Sequence, residues 1–330
     1  MKIKVINARE VEQALSMAEA IEVVKDAFAQ LSLKKARSPV RTSVPLKDPG
    51  EAALLMPAYL AESGALGAKM VTVLPGNPQA HRPAVQAIVF LFDPSTGSPL
   101  AVLEGTQLTR FRTGAATGAA TQVLSRPDST TMALFGAGGQ SFYQVQGVLA
   151  ARKIGRVRIF DLLPERIARL KAQLQADPSC RGVELIPAAT PAQALEGADI
   201  VVTATTSSHP VFDGKLLSEG MHVNAIGAFT PEMQEVDEEC IRRSRIFVDS
   251  VEACLEEAGD LIIPLRKGII QKKDLWAELG EVVAGKKPGR GGPREITYFK
   301  SVGNAVQDVA VAQAVYQRAE ERNLGREVDL

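Results

Sequence analysis

The run Met132-Ala133-Leu134-Phe135-Gly136-Ala137-Gly138-Gly139-Gln140-Ser141 decides the fold. An apolar strand passes directly into a glycine-rich turn, helical spacing follows over 143–151, and a second apolar strand over 157–160 ends at Asp161. That order is the context a dinucleotide fingerprint requires. The first glycine allows the tight turn, and the second lets the backbone approach a pyrophosphate whose charge sits at the helix N-terminus. Ser141 stands in the third glycine's place, and its small side chain still permits close helix packing. A bare glycine pattern can also be a turn that binds nothing. Asp161 argues against that, because a carboxylate about 20 residues beyond the turn accepts hydrogen bonds from an adenosine ribose. The same carboxylate repels a 2′-phosphate, so NAD(H) is preferred. Arg166 keeps NADP(H) as the alternative, unless it is simply a solvated helix charge.

Downstream, strand-like and helical runs alternate over 165–173, 183–186, Ile200–Thr203 and 222–226, which predicts βαβ units and a parallel sheet. Upstream the pattern differs. Ser16 and Glu19 form a capping-box pattern ahead of Ile21, Val24, Phe28 and Leu31 at helical spacing. Short β-rich runs follow over 40–44, Ala65–Val73, Val85–Phe92 and 100–103, with Pro94-Ser95-Thr96-Gly97 as a hairpin turn, and predict an antiparallel meander. The stretch 106–124 is rich in Ala, Thr and Gly, as suits a helix packed against another close backbone. The glycine- and lysine-rich run 285–293 reads as an exposed loop, and a last amphipathic helix covers Ala305–Arg322.

At 330 residues the chain predicts two domains, 1–125 plus 304–330 and 126–303. Lys plus Arg and Asp plus Glu are equal at 38 each, so no global field draws nucleic acid or an anionic membrane. Any anion site must be local. No run of about 18 apolar residues is available to span a membrane. The cysteines, Cys180, Cys240 and Cys254, are odd in number and widely spaced, so reduced thiols and a cytoplasmic location are expected, with no metal site.

Three cations outside the fingerprint stand out. Lys69 lies in the apolar strand Gly67-Ala68-Lys69-Met70-Val71, where it either blunts an edge or faces a cavity that lowers its pKa toward a range useful for proton transfer. Arg112, at the start of the small-residue helix, is placed to clamp a carboxylate or a phosphate, and Arg41 is the third. Arg110 faces elsewhere on that helix. The histidines form no set: His81 is in a loop, His209 precedes Pro210, and His222 begins a buried strand.

These features resemble the ornithine cyclodeaminase/μ-crystallin family over nearly the whole chain. The resemblance rests on Pro39-Val40-Arg41-Thr42, Met56-Pro57-Ala58, Ala68-Lys69, Pro75-Gly76-Asn77-Pro78, Thr109 to Ala116, the glycine turn, Asn224-Ala225-Ile226-Gly227-Ala228, Ala277-Glu278-Leu279-Gly280-Glu281-Val282, and Lys300 through Asp308. It implies an α/β fold in which a Rossmann-type, doubly wound parallel sheet is inserted into a second α/β domain that binds substrate and forms a homodimer. It further implies that Arg41 and Arg112 hold a substrate carboxylate, with Lys69 beside the reacting centre as acid/base or electrostatic partner. Arg112 and Thr113, the turn Gly136 to Gln140, Asp161 and Arg166, Thr203-Ala204-Thr205, Ile226-Gly227 and Ser301-Val302 border the cofactor.

The implied chemistry is hydride transfer at a C–N bond next to a carboxylate: reduction of a cyclic imino acid of the Δ1-pyrroline- or Δ1-piperideine-2-carboxylate type, or amino acid oxidation as in alanine dehydrogenase. Cyclodeaminases carry an aspartate two residues after the glycine matching Gly227. Phe229 stands there and neither takes a proton nor orients water, which disfavours cyclodeamination. Leu54 replaces the arginine that precedes Met-Pro-Ala in alanine dehydrogenase, and with Met56 it suits a larger or more apolar substrate, or ordinary core. Two other classes stay open. One is a crystallin-like binding protein without turnover. The other is an alcohol or hydroxy acid dehydrogenase, which predicts a catalytic His or Tyr/Lys pair that is not identifiable.

Overall fold

The computed structural model describes every residue except Pro49, His81 and Leu330, so the expected loop histidine at 81 lies outside the described residues. The chain divides into two compact units, Met1–Arg112 with Asn304–Leu330, and Thr113–Gly303. The N-terminal segment runs β1 (Lys2–Ile6), α1 (Ala8–Ala14), α2 (Met17–Ser32), β2 (Ala36–Arg37), β3 (Thr42–Pro45), β4 (Ala52–Leu60), β5 (Ala65–Val73), β6 (Val85–Phe92) and β7 (Pro99–Glu104). The division falls inside α3 (Gly105–Leu124), while the Arg126-Pro127-Asp128 punctuation follows its end.

The central unit then runs β8 (Thr131–Phe135), α4 (Ser141–Ala151), β9 (Arg156–Phe160), α5 (Pro164–Ala176), β10 (Glu184–Pro187), α6 (Pro191–Leu195), β11 (Ile200–Thr203) and β12 (His222–Ala225). It continues with α7 (Glu238–Arg243), β13 (Ser244–Val248), α8 (Val251–Glu257), α9 (Gly259–Arg266), β14 (Leu275–Glu278), α10 (Leu279–Val283) and β15 (Ile296–Lys300). α11 (Ala305–Arg322) and β16 (Arg326–Asp329) rejoin the first unit.

In the first unit, the capping box at Ser16 and Glu19 forms as expected, with Ser16 N–H donating to Glu19 at 2.8 Å. Strands β5 to β7 make the anticipated antiparallel meander; β4 adds to β5, and on the other side β1 runs parallel to β7 and pairs with β16. β4 was not expected, because Pro57 sits in it. Its outer neighbours cover only 52–55 through β3 and 59–60 through β2, so the proline falls where β4 pairs on a single side. β5 is flanked by β4 and β6, so Lys69 does not blunt an edge. It shares the buried face with Ala65, Gly67 and Val71, and α11 lies across β4, β5 and β6.

The central unit holds an eight-stranded sheet in the order β10-β9-β8-β11-β12-β15-β13-β14, every neighbour parallel. Met132, Leu134, Ile200 and Val202 enter one core cluster and Ala133, Phe135 and Val201 another, so both faces are covered. That explains the uninterrupted apolar strands. The strand order reverses at β8, which opens a crevice at the carboxyl ends of β8 and β11. The later part of α3 packs on α4 backbone to backbone: a Cβ on Gly147 would come within 2.0 Å of the Gly114 carbonyl oxygen, and one on Gly114 within 2.2 Å of the Tyr143 oxygen.

The run 285–293 is the loop read in it, exposed over most of its length, but one of its residues does more than face solvent. Arg290 turns inward and donates to the Leu124 carbonyl at 2.7 Å, the Met221 carbonyl at 3.2 Å and Thr297 Oγ1 at 2.8 Å. With Arg152, which donates to the Gln122 carbonyl at 2.8 Å, it satisfies the last carbonyls of α3.

Gly147→Ala is expected to destabilise the protein by about 1–3 kcal/mol, because overpacking against a backbone oxygen outweighs the helix-propensity gain. Gly155→Ala, which meets nothing within 4 Å, serves as the control and should stay within about 0.5 kcal/mol in urea unfolding.

Candidate active site

In the first unit the sequence forces a charged cluster into an apolar setting. Lys69 is 2% exposed and Arg112 5%, while Gln307 and Asp308 in the first turn of α11 are fully buried. Asp308 bridges the two cations, at 2.8 Å from Lys69 Nζ and 2.9 Å from Arg112 Nε, and Arg112 also donates to Gln307 Oε1. Asn304 caps α11 by accepting from Val306 N–H at 3.2 Å, and the Ser38 hydroxyl bonds Asn304 at 2.7 Å, so the segment leading to Arg41 is tied to the same helix end. Burial lowers the Lys69 pKa to about 8. Asp308 opposes the shift, and the charges of Arg112 and Arg41 add to it. The three cations singled out in the sequence therefore act on one locality, and Lys69 is poised to change charge near neutral pH.

Two cations sharing one carboxylate leave a net positive charge away from water, an arrangement that an anion entering the cluster would balance. Leu54 and Met56 lie on the same sheet face as Lys69, and Met56 is its cross-strand partner. Asp308 and Gln307 carry their own signal in the sequence, since a polar pair in the apolar run Ala305–Ala312 is as anomalous as Lys69 in its strand.

In the central unit the glycine turn has the shape its sequence requires. Gly136 adopts φ +94°, and a Cβ there would sit 2.7 Å from the Ala204 oxygen. A Cβ on Gly138 would meet nothing within 4 Å, so the turn leaves room above it, as a pyrophosphate needs. Ser141 donates to the Gly136 carbonyl at 2.8 Å and closes the turn. Asp161 accepts from Ala137 N–H at 2.7 Å and from Leu163 N–H at 2.9 Å, which ties the end of β9 to the turn after β8. The room above Gly138 and this fixed carboxylate fit a dinucleotide. Gly139 is exposed, Gln140 is the residue preceding α4, and Arg166 is exposed on α5.

Thr203, Ala204 and Thr205 end β11, Ile226 and Gly227 follow β12, and Ser301 and Val302 follow β15, all at the carboxyl edge of the sheet. Thr113, from α3, is buried in the same unit. Beneath this edge lie three buried acids that the sequence did not reveal. Asp249 accepts from Ser301 Oγ at 2.7 Å and from the N–H groups of Val302 at 3.1 Å and Gly303 at 2.9 Å. Asp260 pairs with fully buried Lys300 at 2.8 Å and accepts from Glu235 N–H at 2.6 Å. Glu235 reaches the turns after β11 and β12. Burial pushes the Glu235 carboxyl up, and Lys300 draws it back down.

Asp249 ends an apolar strand as Asp161 does, a signal that could have found it. Glu235 lies in irregular backbone with no periodicity to mark it. Phe229 packs against the core of this unit. His222 is buried between Thr297 and Asn224 with its pKa pushed down to about 3, chiefly by burial, so it is a neutral core residue.

A model of the ornithine cyclodeaminase/mu-crystallin family matches residues 1–323. The Delta(1)-pyrroline-2-carboxylate reductase of Bacillus cereus (strain ZK / E33L) is 39% identical over 326 residues, which cover 98% of this chain and 99% of that one. The solved structure of Thermococcus litoralis Delta(1)-pyrroline-2-carboxylate reductase in complex with NADH and L-proline matches with a TM-score of 0.93 and 39% identity, covering 99% of this chain and 100% of that one. An archaeal alanine dehydrogenase dimer with bound NAD matches with a TM-score of 0.91 and 36% identity over the full length of both chains. With the family model running from the first residue to 323 and the buried Lys69–Asp308–Arg112 cluster in place, the chain belongs to the ornithine cyclodeaminase/mu-crystallin family.

Proposed function

We propose that this protein is an NAD(H)-dependent oxidoreductase acting on a C–N bond next to a carboxylate, and that it reduces a cyclic imino acid of the Δ1-pyrroline-2-carboxylate type to the amino acid. One observation carries the substrate class: Lys69 and Arg112, both buried, share the single carboxylate of Asp308. A substrate carboxylate joining Arg112 and Arg41 would balance that charge, and a bidentate guanidinium contact would fix the orientation of the ring. The apolar Leu54 and Met56 on the same face suit the ring's methylenes.

Reduction adds a hydride to the imine carbon and a proton to its nitrogen, converting C=N to CH–NH. Bound nicotinamide supplies the hydride. The chain's share is to hold the carboxylate, to exclude water, and to present the Lys69 ammonium as proton donor or electrostatic partner at the nitrogen. Gly136 to Gln140 hold the pyrophosphate and Asp161 the adenosine ribose. The Asp161 carboxylate disfavours a 2′-phosphate, hence NAD(H) over NADP(H).

Phe229 brings no proton-transfer group, so ornithine is not cyclised. Among the described residues no helix is long and apolar enough to cross a membrane. The three free, buried thiols support a cytoplasmic location. A homodimer is supported by the outer face of the first sheet, where Leu55, Met70 and Ile88, 47%, 49% and 47% exposed, form one continuous cross-strand row.

NADH oxidation with Δ1-pyrroline-2-carboxylate should exceed that with pyruvate plus ammonia, and ornithine with NAD should release no proline; the reverse ranking or proline release overturns the assignment. Lys69 is charged below its pKa of about 8 and neutral above it, so kcat/KM should fall with rising pH through that value, and Lys69→Met should lower it by about 100-fold or more at pH 7. Asp308→Asn leaves two buried cations without their carboxylate and should cost about 3–5 kcal/mol in denaturant unfolding. Met70→Lys with Ile88→Lys should convert the native dimer to monomer in light-scattering measurements; a monomeric native protein overturns the dimer.

A further inference from the structure

We infer that Glu235 is the positioning residue of the cofactor half, holding the turns after β11 and β12 in one arrangement from below. Its carboxylate is fully buried and accepts five hydrogen bonds: from Thr203 Oγ1 at 2.9 Å, Thr205 N–H at 2.7 Å, Thr205 Oγ1 at 2.8 Å, Gly227 N–H at 2.7 Å and Ala228 N–H at 3.0 Å. A carboxylate offers about four lone-pair sites and no proton, so five donors saturate it. No other ionisable side chain of its size can accept them all. The two turns it joins are in close backbone contact, and the turn after β8 presses on one of them. A Cβ on Gly227 would lie 2.1 Å from the Thr205 oxygen and 2.5 Å from Glu235 Oε1, and one on Gly136 would lie 2.7 Å from the Ala204 oxygen.

Glu235 is itself held from behind. Asp260 accepts from the N–H groups of Glu235 and Val236 at 2.6 and 3.2 Å, and is anchored by Lys300 at 2.8 Å. The sheet order gives this position its meaning. Asp161 ends β9 on one side of β8, and the Glu235-bound turns end β11 and β12 on the other. A dinucleotide whose adenosine lies at Asp161 must pass its other half over the ends of β11 and β12. Glu235 therefore fixes the floor under the nicotinamide half, while the Asp161 end depends on bonds in which Glu235 takes no part. The inference rests on the cofactor reading above and not on the identity of the imine.

The test is a pair of affinities measured on native protein and Glu235→Gln: NADH by fluorescence, and ADP-ribose, which lacks the nicotinamide, by competition. The amide must point its NH2 at a donor, so NADH is expected to bind about tenfold or more weakly, with ADP-ribose changed by less than about threefold. Thr203→Val, which removes a fully buried hydroxyl donor and leaves the acid, should shift the same ratio in the same direction by about threefold, and it decides the matter if Glu235→Gln does not fold. Parallel losses of NADH and ADP-ribose, or no loss in a folded variant, overturn the inference and leave the cofactor reading intact. Failure of the native protein to bind NADH overturns both.

Discussion

Asp308 is the constraint around which the first unit is arranged. A lysine and an arginine in the interior of a sheet-and-helix layer are costly unless paired, and the α11 carboxylate is what makes both tolerable. Because α11 lies across β4, β5 and β6, its first turn reaches the middle strand from above, and the Asn304 cap with Ser38 fixes where that turn begins. The cluster is underpaid in negative charge by design of its composition: two cations, one acid and a neutral Gln307. Under the proposed function, stability and ligand choice have one physical origin, since the charge the fold leaves unbalanced is one that a substrate carboxylate would supply.

The central unit solves a different problem with the same tool. A parallel sheet presents its strand ends as loops, and loops are precise only when something holds their peptide groups. Here carboxylates do it: half-buried Asp161 for the turn after β8, and fully buried Glu235 and Asp249 for the turns after β11 and β12 and the segment after β15. Each accepts backbone N–H bonds that water would otherwise take, so the crevice edge is set before any ligand arrives.

Much of this was legible in the sequence where a local rule and the tertiary requirement coincide. The strand-turn-helix of residues 132–151 is recognisable because glycine at 136 is demanded by a positive φ and by the Ala204 oxygen alike. Lys69 is recognisable because a charge in an apolar strand is anomalous in itself, and α11 has the bounds its periodicity predicts. What was not legible depends on pairing across the chain. β1, β13, β14 and β16 are four or five residues long and owe their existence to neighbours remote in sequence. β4 hid behind a proline that only its one-sided pairing permits. Asp308 is visible as an anomaly, but its partner Arg112 is 196 residues away and no spacing rule connects them.

The run 285–293 carries a broader lesson. Its glycines and lysines give it the composition of a spacer that could be lengthened or cut without consequence, yet Arg290 within it terminates α3 by hydrogen bonds to Leu124, and Gly289 leaves just enough room beside the Val123 oxygen, which a Cβ would approach to 2.9 Å. Evolutionary freedom at this surface is therefore smaller than composition suggests. Insertions are tolerated where a loop's side chains bond to solvent, and this loop acts as the missing cap of a helix more than 160 residues earlier in the chain.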